Sequence, residues 1–496
     1  MRALALLACI GCTSSPASTS APPPAQRVAA RQPDRHDSNI ARADYIGPNA
    51  CGECHPDKLA DWSRSLHRVM NARVDEPGAV IGDFRGARVE VAGGDAVMTH
   101  EGGAYAMTLQ QGARHVRYRI TRTIGRRGLQ EYVGIEDGQR DEVRLPFAWW
   151  PRRGGWVAQS TFDPWLEHFD PFAPVREPWA ERCPWCHSTY PFAQRIARAQ
   201  LRPVGHGLEQ YFGGERGSER LGVDEQVTTG ISCESCHLGG RAHAAGQPIH
   251  FVPQGAEPRS GAPVPTSFAD EWRDPKIVNA VCAQCHSGPS PRLADGTALR
   301  NSSEALDLAA SPCTGIRCID CHDPHRADSR ADEPRAVAAC TRCHAAQADR
   351  AHAGAGHATS SCLDCHMPKL VMGIDRYVRT HRISSPTNAK LLADGAPNAC
   401  NLCHLDRSLA WTVRELRAGW DVKLPPLATD DDDALGTRYL ASKSPAIRLI
   451  AAHAYARSPL GKYELAAIEK GLADKLAYVR AWTQFAIDDI KARVPR

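Results

Sequence analysis

The stretch Cys318-Ile319-Asp320-Cys321-His322-Asp323-Pro324-His325 contains the pattern around which this chain is built. Two cysteines separated by two residues are followed directly by a histidine, and a second histidine stands three positions later. The Cys-x-x-Cys-His part occurs eight times, with its cysteines at Cys51/Cys54, Cys183/Cys186, Cys233/Cys236, Cys282/Cys285, Cys318/Cys321, Cys340/Cys343, Cys362/Cys365 and Cys400/Cys403. The histidines that complete the motifs, numbered one to eight below, are His55, His187, His237, His286, His322, His344, His366 and His404.

Cys-x-x-Cys-His is the attachment signature of haem c, in which both cysteine sulfurs bond the porphyrin and the histidine ligates the iron. At this chain's cysteine and histidine frequencies, roughly 0.03 copies would arise by chance. Zinc ribbons also use Cys-x-x-Cys pairs, but they do not require a histidine after every second cysteine. The repeats therefore predict eight covalently attached haem c groups and eight iron sites.

Size and spacing indicate how these haems would be arranged. The chain has 496 residues, of which 42% are hydrophobic, enough for about three domains. The motifs occupy residues 51–404, so few residues separate one haem from the next. We therefore expect neighbouring haems to lie in van der Waals contact and to conduct electrons. No nucleic-acid partner is expected.

The N-terminus predicts export. Residues 1–12 carry one positive charge, a short apolar run and two cysteines, Cys9 and Cys12, either of which suits lipidation of a bacterial lipoprotein. Residues 13–45, rich in Ser, Pro and Ala and then charged, predict a disordered linker. No later segment approaches the roughly 18 apolar residues of a membrane span. A lipid would be the only membrane anchor, on a protein of the periplasm or outer cell surface.

A second axial ligand for each iron must come from histidines outside the motifs. His67 follows motif one on a predicted helix and can fold back over a haem, and His243 lies six residues beyond His237. His325 is too near His322 to reach the opposite face of the same haem, so we expect it to ligate a neighbouring iron. His352 or His357 precedes motif seven, and His381 precedes motif eight. The remaining candidates are His168, His206 and His250, and Met70, Met367 or Met372 could replace a histidine.

Two segments contain no haem motif. Residues of about 83–150 alternate with the period of strands, which predicts a small antiparallel sheet or half-barrel with His100 and His115 at its surface. Residues 411–496 are helical, and a pattern from Leu440 recurs from Leu472, as in a pair of HEAT-like hairpins. This tail serves either as a docking module or as a cap on the haem domain, and His453 is predicted to lie on a helix surface.

These observations predict a mainly α and irregular fold. An octahaem cytochrome c core over residues 46–410 would carry the β insert, and the helical tail would follow it. Cys313 has no motif partner and is predicted to be a buried thiol.

Several blocks resemble multihaem cytochromes of the cytochrome c-552/c-554 type. They are Y-I-G-P-N-A-C-G-E-C-H from Tyr45 with W-S-R-S-L-H from Trp62, I-S-C-E-S-C-H-L-G-G-R-A-H from Ile231, and C-L-D-C-H-M-P-K from Cys362 through R-T-H-R-I to G-A-P-N-A-C-N-L-C-H from Gly395. The resemblance covers roughly residues 45–490. It implies an electron carrier with two histidines on each iron, and its distal-histidine contexts match His67, His243, His325, His357 and His381.

Two functions follow from this pattern. The first is electron transfer to and from redox partner proteins, such as other cytochromes or a quinol-linked complex. The second is a multihaem oxidoreductase that acts on nitrite, hydroxylamine or tetrathionate at one open iron. No motif here has lysine in place of histidine, and only Tyr377 stands where a hydroxylamine oxidoreductase would have its tyrosine crosslink. Electron transfer is favoured.

Overall fold

The structure is a computed structural model. It describes residues 38–162, 170–173, 178–199, 207–213, 225–259, 261–262, 267–328, 333–349, 351–424, 427 and 432–493. The predicted export signal and most of the predicted linker lie outside these residues, as do His168 and His206. Residues 38–45 were also predicted to belong to the disordered linker, but Asn39 and Tyr45 are buried there.

A seven-stranded antiparallel sheet follows the first haem motif. Strands β2 to β7 are neighbours in chain order, and β1 pairs with the end of β5. The strands are β1 Asn71–Arg73, β2 Arg85–Val91, β3 Gly94–Glu101, β4 Ala104–Gln111, β5 Arg114–Ile124, β6 Glu131–Glu136 and β7 Glu142–Arg144. Short hairpins follow as β8 Phe147–Trp150 with β9 Gly155–Ala158, β10 Phe212–Gly213 with β11 Glu257–Pro258, and β12 Lys369–Met372 with β13 Tyr377–Arg379.

The sheet forms because its strands alternate and its turns suit tight hairpins. Gly102 and Gly103 both adopt positive φ, at 57° and 78°, between β3 and β4, as a two-residue hairpin turn requires. One face of the sheet has its own apolar core, built on Phe84, Met98 and Tyr132. His100 is exposed on β3, as predicted.

The prediction of a mainly α and irregular fold is wrong. The strands predicted from alternation are present, but they belong to a seven-stranded sheet with a separate core. The sequence pattern identified single strands and did not show that β1, which lies before the predicted insert, joins the same sheet. The fold therefore combines a substantial sheet with helices.

Helices in the segment that carries the Cys-x-x-Cys-His motifs are short. They are α1 Pro48–Gly52, α2 Pro56–Ser63, α3 Trp179–Arg182, α4 Pro184–His187, α5 Phe192–Ala199, α6 Arg241–Ala244, α7 Phe268–Arg273, α8 Pro275–Ala283, α9 Glu304–Ala309, α10 Cys318–Cys321, α11 Glu333–Thr341, α12 Cys362–His366 and α13 Ala389–Ala393. Local signals define their ends. Helix α8, for example, begins at Pro275, and the Asp274 carboxylate caps it by accepting from the Lys276 N–H at 2.8 Å.

The C-terminal helices pack onto the rest of the protein. They are α14 Leu409–Trp420, α15 Leu435–Leu440, α16 Pro445–Arg457, α17 Leu465–Glu469 and α18 Ala477–Arg493. Trp482 and Phe485 on α18 share one apolar cluster with Trp150 of β8 and Leu370 of β12. Arg152 donates to Asp489 at 2.6 Å and lies over the Phe485 ring. These contacts favour the cap over the docking module.

His453 was predicted from the sequence to lie on a helix surface, but it is buried. It is 4% exposed, and its Nε2 lies 3.0 Å from the carbonyl oxygen of Trp482. Burial lowers the pKa of His453 to about 3, so the imidazole is neutral. The prediction failed because α16 is covered on two sides, by α18 and by β12, and a single-helix pattern does not show the second cover.

Among the described helices, none is long and apolar enough to cross a membrane.

Replacing Trp482 by alanine is expected to lower the free energy of unfolding by about 3–5 kcal/mol, because a fully buried indole leaves a cavity. Urea unfolding would measure the change. Tyr463→Ala is the control, since Tyr463 is 72% exposed and should change stability by less than about 0.5 kcal/mol. Equal midpoints for the two variants would show that the tail is not part of the fold's core.

Candidate haem-binding sites

Each motif forms one turn of helix. The N–H of the motif histidine donates to the carbonyl of the first cysteine in seven of the motifs, at 2.8 to 3.2 Å, for His55, His187, His237, His286, His322, His344 and His404. In the remaining motif the same five residues form α12. A turn of this kind brings both thiols and the imidazole to one side of the backbone. That arrangement suits attachment of a planar ring above the histidine.

The zinc alternative has no support in the geometry. The motif cysteines are free thiols, and all of them are at least partly accessible. In the part of the chain that the structure describes, no group of three or more His, Cys, Asp or Glu side chains converges as in a metal site. Structural zinc needs four such ligands.

Four motif histidines face a second histidine from elsewhere in the chain. A bond between a metal and an imidazole nitrogen is about 2 Å long, and the ring centre lies about 1 Å further out, so two axial imidazoles on one iron have centres about 6 Å apart. The observed ring-centre distances are 6.3 Å for His55 and His243, 6.0 Å for His237 and His325, 6.2 Å for His322 and His381, and 6.0 Å for His404 and His357. Each distance matches the expected spacing.

These pairs change which motif each distal histidine would serve. His325 faces His237 of motif three. His243 faces His55 of motif one instead of its own His237. His381 faces His322 of motif five. Sequence distance is a poor guide to these pairs, because loops of tens of residues bring distant segments together.

His67 lies near motif four. Burial, and then the charge of His286, lowers the pKa of His67 to about 4. Burial also lowers the pKa of His237 to about 4, with further contributions from His325, His243 and His55. Both imidazoles are thus neutral at pH 7, the form that ligates a metal. Because the charge of His286 acts on His67, His67 is a candidate second imidazole for motif four.

Hydrogen bonds orient several of the imidazoles. The Nδ1 atom lies 2.8 Å from the Gln247 carbonyl in His243, 3.1 Å from the Ala353 carbonyl in His357, and 2.9 Å from the Ser384 carbonyl in His366. In His286 the Nδ1 atom lies 3.4 Å from Oε2 of Glu304, and this carboxylate raises the pKa of His286 to about 9, so the imidazole must lose its Nε2 proton before it can ligate a metal. Metal-binding histidines are held in this way, with Nε2 left for the metal.

The motifs also lie next to one another. Thiol pairs close enough to interact join motif one to three, two to four and four to five, through Cys51 with Cys233, Cys186 with Cys285 and Cys282 with Cys318. Weaker charge interactions, without a hydrogen bond between the thiols, link Cys236 with Cys285, Cys321 with Cys340, Cys340 with Cys362 and Cys400 with Cys365. The resulting order is one, three, four, five, six, seven, eight, with motif two beside motif four.

Three motif histidines have no partner assigned. The described residues identify no second imidazole for His187, His344 or His366. Tyr377, the candidate crosslinking tyrosine, lies in the apolar cluster of the tail, with its ring 4.7 Å from that of His453. No sequence pattern pointed to Glu304, or to Glu271, whose carboxylate lies 2.5 Å from His250 Nδ1. Only a fold shows which carboxylate meets which imidazole.

Comparison with known proteins gives little further information. No protein-family model matches the chain. No curated protein sequence matches it either. A crystal structure of the outer cell wall cytochrome OcwA is similar over 90% of this chain and 99% of that chain, with 16% identity and a TM-score of 0.44. A score this low does not establish a shared fold.

Replacing His325 by alanine is expected to remove one axial ligand from the motif-three iron and to convert that haem from low spin to high spin. Electron paramagnetic resonance of the oxidised protein would measure the change. The matched control is His100→Ala, because His100 is exposed in the sheet and stacks on Tyr105. An unchanged low-spin spectrum in the His325 variant would show that this histidine is not a ligand.

Proposed function

We propose that the chain is an octahaem c-type cytochrome that transfers electrons through closely spaced haems. The observation that carries this proposal is the set of four histidine pairs with ring centres 6.0 to 6.3 Å apart. Each pair joins a motif histidine to a histidine outside the motifs. Two imidazoles on one iron saturate its coordination, which suits electron transfer.

The order of the motifs supports conduction. Because each cysteine would be bonded to a porphyrin, contact between thiols of different motifs brings porphyrin edges together. The series from motif one to motif eight would then form a continuous path for electrons. Cys54, Cys343 and Cys403 are exposed, so the haems of motifs one, six and eight are the ones a partner could approach. Redox partner proteins, such as other cytochromes or a quinol-linked complex, would exchange electrons there.

The alternative is an oxidoreductase with one open iron. It would act on a small nitrogen or sulfur compound such as nitrite, hydroxylamine or tetrathionate. The hydroxylamine form of this alternative is not favoured, because Tyr377 lies in the tail core. The haems without an assigned second imidazole, at motifs two, six and seven, are where such chemistry would occur.

The proposal also includes the location of the protein in the cell. The N-terminal pattern suits export to the periplasm or outer cell surface, with a lipid on Cys9 or Cys12 as the membrane anchor. A tether of residues 13–37 would let the haem domain reach partners away from the lipid surface.

Expression with a cytochrome c maturation system is expected to give a protein whose denatured mass includes eight covalently bound haems. Cys51→Ser/Cys54→Ser should reduce the count by one, because both thioether bonds of motif one are lost. Cys313→Ser is the control, since Cys313 lies outside the motifs, and should leave the count unchanged. A denatured mass without haem would defeat the proposal.

The same preparation separates the two functions. Electron paramagnetic resonance of a carrier should show low-spin ferric haem that does not respond to added ligands. A stoichiometric high-spin signal that shifts with nitrite, hydroxylamine or sulfite would instead establish the oxidoreductase.

A further inference from the structure

We propose that the seven-stranded sheet supports motif two: it positions His187 and, through Glu131 and Arg144, adjusts the reduction potential of the iron that His187 would ligate. This inference rests on the proposed function. It also gives the sheet a role, which conduction through haems does not by itself require.

A hydrogen bond joins the sheet to the residue after His187. Asn71, the first residue of β1, donates from Nδ2 to Oγ of Ser188 at 2.8 Å. Both side chains are fully buried. The residue before β1, Met70, accepts at its carbonyl from the Gly125 N–H at 3.0 Å, just beyond β5. The strand that begins at Asn71 therefore ties the motif-two turn to the sheet.

The second contact between the sheet and motif two is made by the indole of Trp179. Trp179, on the helix that leads into motif two, is buried against Ile124 and Val133 of the sheet. The guanidinium of Arg122 lies 5.9 Å from the centre of the Trp179 ring. The same ring stands edge-on to His187, with centres 6.2 Å apart. The backbone confirms this docking, since Val143 of β7 forms a bridge with Pro178. His187 is thus held between the sheet and its own helix turn.

A charge pair lies on β6 and β7, the strands whose Val133 packs on Trp179 and whose Val143 bridges Pro178. Glu131 of β6 accepts two hydrogen bonds from Arg144 of β7, both at 2.8 Å. Burial acts to raise the pKa of Glu131, but Arg144 and the charge of His187 lower it overall, so the carboxylate is ionised. The Glu131 side chain is 15% exposed, and solvent screening there is weak. A negative charge near an axial imidazole favours ferric over ferrous iron.

Two substitutions that change the charge of the Glu131–Arg144 pair in opposite directions test the proposal. In the haem-loaded full-length protein, Glu131→Gln is expected to raise, and Arg144→Gln to lower, the midpoint potential of one haem. Each should change the ferrous-to-ferric ratio at fixed potential by about tenfold, or 59 mV for one electron. Spectroelectrochemical titration measures the shift. The affected haem is identified as the component of the titration that is missing from the Cys183→Ser/Cys186→Ser variant.

Matched controls separate charge from folding. Asp95→Asn removes the carboxylate of another ion pair of the same sheet, with Arg88 at 3.1 Å, and should leave all potentials unchanged. Asn71→Ala should alter the spectrum of the motif-two haem alone. The inference is overturned if neither charge variant shifts that component, or if all haems shift together. Loss of haem from the wild-type chain would instead mark failure of the proposed function.

Discussion

The pairing of histidines from distant parts of the chain is the interaction on which the proposed arrangement of haems depends. His243 faces His55 across a separation of 188 positions in sequence. Both histidines lie on or beside short helices, which cannot fix the distance between the two rings by themselves. Short helices and loops suffice in the haem region because each pair would act as a crosslink through the iron. A covalently attached porphyrin would also supply apolar surface that side chains do not.

The sheet and the helical tail are conventional cores, and each supports the haem region from one side. The sheet has an apolar face of its own and contacts motif two through Trp179. The tail buries Trp482 against Trp150 and packs on the β12–β13 hairpin. Both therefore extend the rigid surroundings of the haems. Rigid surroundings keep porphyrin distances constant, and electron transfer through a series needs such constancy.

Much of the site was predictable from sequence, because attachment chemistry demands residues at fixed spacing. The motifs are visible in the sequence, and the short distance along the chain between His322 and His325 suggested that His325 would lie near another motif, as it does beside His237. The partners of His67 and His243 do not, since these pairs depend on how loops of many residues close. The sheet was underestimated because alternation identifies strands and not their number in a sheet. His453 was misplaced because one helix pattern cannot show a second covering element.

Diffraction data collected at the iron absorption edge from crystals of the haem-loaded protein would test the central claim most directly. The account predicts eight iron positions, with one midway between the ring centres of His237 and His325. Others should lie between His55 and His243, between His322 and His381, and between His404 and His357. An iron that joins His55 to His67, or His237 to His243, would contradict it.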